Sequence, residues 1–107
     1  KTMILTGTGQ NIYPEEIEDK LNNMPLVLES LIIESKGVLK ALIVPDYDTA
    51  AQENIDKDAL KAMMEDNIKQ LNTQVASYEK VALMEIRDSE FEKTPKRSIK
   101  RFLYQEK

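Results

Sequence analysis

The chain has 107 residues, 41% of them apolar and 32% charged, which supports one folded domain around one core and not a disordered segment. It contains no cysteine and no histidine, which excludes disulfides and thiolate-bound metal, argues against a self-contained hydrolase or metalloenzyme, and makes a reducing cytoplasm the simplest compartment. The net charge of −4 disfavours nucleic acid as a general partner, and no apolar run approaches the length that spans a bilayer.

The chain opens on Lys1, not Met, which fits a segment of a longer protein. Thr2 to Thr6 is a β-prone run leading into Gly7-Thr8-Gly9-Gln10-Asn11, a loop whose glycines can take positive φ. Pro14 suits the first position of a helix, and Glu15, Glu16 and Glu18 place carboxylates where they oppose its positive end. Ile17, Leu21 and Met24 form the apolar stripe of that helix, which Pro25 stops.

Val27 to Glu34 and Val38 to Val44 read as two strands joined by Ser35-Lys36-Gly37, with Gly37 left-handed. Glu29, Ser30 and Lys40 interrupt these otherwise apolar runs, and Pro45-Asp46-Tyr47-Asp48 ends the second. A helix is expected from about Asn54 to Val75, capped by Asn54 or Asp56, with Leu60, Met64, Ile68, Leu71 and Val75 on its buried face. Val81 to Ile86 is a third strand, and Ile99, Phe102 and Leu103 suggest a short terminal helix. The order predicts a single small α+β domain, a hairpin-containing sheet packed by helices.

The charges are unevenly spread. Lys93, Lys96, Arg97, Lys100 and Arg101 are basic with no acid among them, whereas Glu15, Glu16, Glu18 and Asp19 cluster at the first helix. Composition alone favours reading the basic stretch as a solvated tail with two apolar anchors; the functional alternative is a site for a small anion. The glycine loop by itself is an ordinary tight connection. It is not a P-loop, because no Lys-Ser/Thr follows the glycines.

The full strings say more than their spacing. Asn11-Ile12-Tyr13-Pro14-Glu15-Glu16-Ile17-Glu18 resembles the segment after the hinge in the adenylate-forming superfamily, which includes acyl-CoA synthetases. Lys93-Thr94 and Ile99-Lys100-Arg101 are similar to the final motif of the same superfamily. The resemblance spans the whole chain and implies a C-terminal cap domain, most like that of bacterial long-chain fatty acid–CoA ligases.

On that resemblance Lys1 is the hinge, and the loop Gly7, Thr8, Gly9, Gln10 and Asn11 faces the coenzyme A tunnel. The loop is longer by a residue than in many relatives, which leaves open whether Gly7 or Gly9 takes the family's glycine role. The family's catalytic lysine falls on Ser98, and serine cannot supply its charge. Lys100 and Lys96 are the candidate replacements, with Arg97 beside them. Lys100 shares a side with position 98 only if the segment is extended; in a helix that placement fails.

The implied partner is the chain's own N-terminal adenylation domain. The implied substrates are a fatty acid, ATP and coenzyme A, with Mg²⁺, and neither cofactor nor metal is expected to bind the 107 residues alone. Those residues are accordingly expected to lack ligase activity. Two alternatives are a stand-alone α+β binding or interaction module, and an adenylation domain that serves an acyl carrier protein.

Overall fold

In the computed structural model, which describes residues 2–106, the two apolar runs become the central hairpin. β1 (Ile4–Leu5) and β2 (Asn11–Ile12) form a small antiparallel ladder ahead of it, with Ile4 opposite Ile12. The expected strand over residues 2–6 is thus two residues long. Its partner at Asn11–Ile12 was not legible in the sequence, because two residues carry no periodicity.

α1 (Pro14–Asn22) begins with Pro14 and has Glu15 and Glu16 in its first turn, as the helix-start signals require. β3 (Val27–Ser35) and β4 (Val38–Pro45) are antiparallel, with Leu31 opposite Leu42 and Ser35 opposite Val38. The connection between them is therefore Lys36-Gly37, one residue shorter than expected. Both are left-handed, at φ 53° and 83°, the conformation that matches the twist of flanking strands in a two-residue turn.

α2 (Tyr47–Gln52) follows β4 at once, where the sequence suggested only a strand end. Asp46 caps it by accepting a hydrogen bond from the Thr49 amide at 3.1 Å. Six residues are too few for a helical stripe to be read. α3 (Lys57–Asn72) is the long helix, capped by the Asp56 carboxylate on the Ala59 amide at 2.8 Å, and it is shorter at both ends than expected. β5 (Val81–Ile86) returns parallel to β4, giving the order β3-β4-β5. Asn72 fixes its start: the side chain donates to the Val81 carbonyl at 3.0 Å and accepts from the Val81 amide at 2.8 Å. The terminal helix is a single 3-10 turn, Arg101–Leu103. Among the described residues no helix is long and apolar enough to cross a membrane.

The hairpin is buried on both faces, which explains why its strands are continuously apolar and do not alternate. On one face Ile32, Ala41 and Ile43 pack against Ile17 and Leu21 of α1 and Leu60, Met64 and Leu71 of α3. On the other face Leu31, Ile33, Leu42 and Val44 lie under Phe91, with Ile99 and Tyr104 at the border. The segment after β5 therefore supplies the second cover. Phe91 is 3% exposed, so the reading of this stretch as a solvated tail is corrected: Lys96 and Arg97 face water and Phe102 and Leu103 are exposed, but Phe91 completes the core with Ile99 and Tyr104 packed against it.

Each polar interruption of the hairpin has a partner. Glu29 accepts from the Phe91 amide at 2.9 Å and pairs with Lys93 at 2.9 Å. Ser30 donates to the Asn22 side chain at 2.7 Å, and Lys40 pairs with Glu85 and Glu106 at 3.3 and 3.0 Å. Phe91 meets the Tyr104 ring edge-on at 5.0 Å, and the Arg87 guanidinium lies 4.8 and 4.9 Å from the two ring centres. Tyr104, given no role from the sequence, thus anchors the returning chain.

Phe91→Ala should cost about 3 kcal/mol of unfolding free energy, because it removes the residue that seals the second face. Urea denaturation followed by circular dichroism measures this, with the native spectrum otherwise retained.

Candidate site in the basic C-terminal turn

The basic stretch is held as a narrow loop. Lys93 and Ile99 bridge one another in antiparallel fashion, and the Lys100 amide donates to the Glu92 carbonyl at 2.9 Å. Between them the Thr94 amide donates to the Ser98 carbonyl and the Arg97 amide to the Thr94 carbonyl, both at 2.8 Å. Arg97 takes φ 67°, the left-handed region that a non-glycine residue adopts only when its surroundings fix it. Thr94 closes the turn further by accepting from the Ser98 amide at 3.2 Å.

This geometry sorts the five cations. Lys93 is bound to Glu29 and Glu90, and the Glu29 hydrogen bond raises its pKa above the ordinary lysine range. Arg101 is held by Glu15 and Glu18. Lys100 reaches Glu92 at 3.7 Å, a partly exposed contact of the kind that contributes little. Lys96 and Arg97 are exposed at the tip, and no carboxylate of the described residues lies within ion-pair distance of either.

Ser98 is exposed at the end of the tip, and Ile99 after it bridges Lys93. Lys100, at φ −76° and ψ 80°, is neither extended nor helical: the Arg101 amide donates to the Ile99 carbonyl at 2.9 Å, folding the backbone around it. The structure thus brings Lys96, Arg97 and Ser98 into one turn, with Lys100 just after it. The Lys1 hinge assignment lies outside the described residues.

The glycine loop is a separate feature. The Thr6 hydroxyl donates to the Gln10 side-chain oxygen at 2.7 Å and accepts from the Gln10 amide at 3.0 Å. Gly9 has φ 90° and Gly7 does not take positive φ, so the backbone requires glycine at position 9 alone. A Cβ at either position would meet open space. Gly7 and Thr6 border a surface cleft of about 420 Å³ that Gly37, Tyr78 and Lys80 close on the other side. Thr8, Gly9, Gln10 and Asn11 do not line it.

One buried carboxylate links the two motifs that the sequence singled out. Glu18 is 5% exposed; its Oε2 accepts from the Ile32 amide at 2.8 Å, and its Oε1 accepts from Arg101 Nη2. β3 is an edge strand, so Glu18 satisfies an amide that no neighbouring strand can reach. Burial raises the Glu18 pKa above the ordinary glutamate value, outweighing the hydrogen bonds from Arg101 and Ile32. Burial also acts to raise Glu15, but the amide hydrogen bonds at Glu15 and Thr2 outweigh it and hold that carboxyl low. Sequence reasoning took Glu18 as a helix-start acid and Arg101 as an anion contact. Only the three-dimensional pairing of residues 83 positions apart reveals the ion pair.

The end of the chain is clasped to the sheet. Glu106 accepts from Ser35 Oγ at 2.6 Å and from Lys40 Nζ at 3.0 Å, and chiefly the Ser35 hydrogen bond lowers its pKa below 4.5. A carboxyl with a depressed folded pKa contributes stability above its unfolded value and loses it as pH falls through the folded one. The difference in Tm between wild type and Glu106→Gln should therefore be largest at about pH 7 and close as pH drops well below the ordinary glutamate range. Thermal denaturation across that range measures it.

A protein-family model described as the AMP-binding enzyme C-terminal domain matches residues 1–107. Among curated protein sequences nothing matches. Solved structures do. The adenylation domain of the carboxylate reductase from Mycobacterium chelonae superposes with a TM-score of 0.78 at 19% identity, over 94% of this chain and 17% of that one. MatB from Rhodopseudomonas palustris gives 0.68 at 22% identity, over 96% and 19% of the two chains. A fatty acyl CoA synthetase from Mycobacterium tuberculosis gives 0.66 at 23% identity, over 94% and 18%. The chain thus spans less than a fifth of the length of these structures. With its α+β fold and its full length covered by one family model, the chain belongs to the AMP-binding enzyme C-terminal domain family.

Proposed function

We propose that this chain is the C-terminal cap domain of an ATP-dependent, AMP-forming acid–CoA ligase of the long-chain fatty acid type. The observation that carries the reading is the exposed turn, in which Lys96 and Arg97, beside Ser98, have no carboxylate of the described residues within ion-pair distance. A turn of this kind suits the triphosphate and carboxylate charge of an adenylation reaction, since its backbone is held by hydrogen bonds and its cations are free to meet the incoming charge.

In such a ligase the substrate carboxylate attacks the α-phosphorus of ATP, expelling pyrophosphate and forming an acyl-adenylate. The thiol of coenzyme A then attacks the acyl carbonyl and expels AMP. No group of three or more carboxylates among the described residues could hold a metal, so Mg²⁺ would be held outside this domain with the phosphates. The turn's share would be a positive charge at the α-phosphate, supplied from Lys96 in place of the residue that Ser98 replaces. Lys100 is the secondary donor because Glu92 competes for it.

Lys1 would be the hinge that carries the domain between its two working orientations. The open cleft beside Thr6 and Gly7, with Lys80 across it, supports a path for coenzyme A past the start of the glycine loop and not along Thr8 to Asn11. An adenylating protein that passes its acyl group to a carrier protein shares the first step and the same turn. The MatB, carboxylate reductase and synthetase folds are all compatible with this C-terminal arrangement, and the string Asn11-Ile12-Tyr13-Pro14-Glu15-Glu16 favours the fatty acid–CoA class.

In the polypeptide that joins this domain to its adenylation domain, Lys96→Ala should slow acid-dependent pyrophosphate exchange about 100-fold. Lys100→Ala should slow it less. Exchange unaffected by either change would exclude the turn as the source of the charge. The 107 residues alone should form no acyl-CoA, which a thioester assay checks.

A further inference from the structure

Arg101 occupies a position in the fold that neither the family match nor the catalytic turn accounts for. Its Nη2 donates to Glu18 Oε1, and its Nε lies 3.6 Å from Glu15 Oε2. That same Glu15 oxygen accepts the Thr2 backbone amide at 3.2 Å. The other oxygen of Glu18 takes the Ile32 amide of the sheet edge. One guanidinium is therefore bound by two carboxylates of α1, one tied to the start of the chain and the other to the sheet.

On its other side Arg101 is joined to the basic turn by a short, hydrogen-bonded path. The Lys100 amide is bound to the Glu92 carbonyl, Ile99 bridges Lys93, and the Ser98 carbonyl and amide are both bound to Thr94. Each residue from Ser98 to Lys100 is thus tied across the loop to Glu92, Lys93 or Thr94. A displacement of Thr2 can thus reach Ser98 through Glu15 and Arg101 without crossing the hydrophobic core.

We propose that Arg101 is a positioning residue that couples the backbone where the chain enters the domain, at Thr2, to the cations of the Thr94–Ser98 turn. This deepens the ligase reading and rests on it for its catalytic meaning. A domain that reorients about a point next to Thr2 must deliver its turn to the same place each time, and a rigid link between the two secures that. The requirement is for arginine. A guanidinium presents separate nitrogens in a fixed fork, Nη2 to Glu18 and Nε toward Glu15, whereas lysine has one nitrogen at the end of a flexible stem and does not reproduce that geometry.

Amide spectra of the isotopically labelled 107-residue chain test the coupling without any assay of activity. Glu15→Gln should move the Thr2 amide together with the amides of Thr94, Arg97 and Ser98. With Arg101→Lys in place, the same Glu15→Gln change should move Thr2 and leave the turn still. Turn amides that respond alike in both backgrounds, or in neither, overturn the proposal. If Arg101→Lys prevents folding, Glu15→Asp keeps the charge but withdraws it from Arg101, and unmoved turn amides then overturn it equally.

In the polypeptide joined to its adenylation domain, Arg101→Lys should lower kcat for pyrophosphate exchange about 100-fold while KM for ATP stays near wild type. Wild-type kcat in that variant also overturns the positioning role. Failure of the wild-type polypeptide to exchange pyrophosphate at all would instead remove the ligase reading, and the amide shifts would still decide the coupling.

Discussion

A hairpin that is apolar on both faces needs two covers, and the rest of this fold is organised by how they are supplied. Helices α1 and α3 cover one face, and the chain after β5 turns back to cover the other with Phe91, Ile99 and Tyr104. Without that return Leu31, Ile33, Leu42 and Val44 would stand in water, so the hydrophobic effect fixes the path of a segment that is polar in most of its residues. The basic turn is placed as a consequence. It is the part of the covering segment between two contacts with the sheet, and it projects because its ends are held down.

Electrostatics refines this placement. Glu29 and Lys93 pin the segment where it first meets the sheet, Glu18 and Arg101 where it leaves it, and Ser35, Lys40 and Glu106 at its end. Glu18 is buried and Arg101 partly so, and drawing this pair from water is tolerable because each has further partners. Glu18 takes a sheet-edge amide and Arg101 takes Glu15. Of the cations in this stretch, Lys100 has only the exposed contact with Glu92, and Lys96 and Arg97 at the tip have no carboxylate of the described residues within ion-pair distance. A cluster that is uniform in sequence therefore divides into charges that hold the fold and charges left available to a ligand.

Much of the fold was legible from residue pattern. The start of α1 followed from Pro14 and the acids behind it, β3 and β4 from two continuous apolar runs, and the buried face of α3 from Leu60, Met64 and Leu71 at helical spacing. Elements shorter than a period were not legible: β2 has two residues and α2 six. The second face of the hairpin was also hidden, since a run of apolar residues does not say what lies on either side. Of the candidate site, Lys96 and Ser98 share one turn with Arg97, whereas Lys100 follows it in a folded backbone that only its surroundings, among them the bond of its amide to Glu92, could decide.

The sequence by itself determined which longer segments are strand or helix and the family to which the chain belongs. These are local properties, set by side-chain periodicity, by helix-end and turn residues, and by short strings. The tertiary structure decided which charges are partnered. Glu18 and Arg101 are 83 positions apart and Glu106 and Ser35 are 71 apart, so nothing local relates them. They meet because the apolar second face draws the chain back across the sheet. That same return leaves Lys96 and Arg97 at its tip.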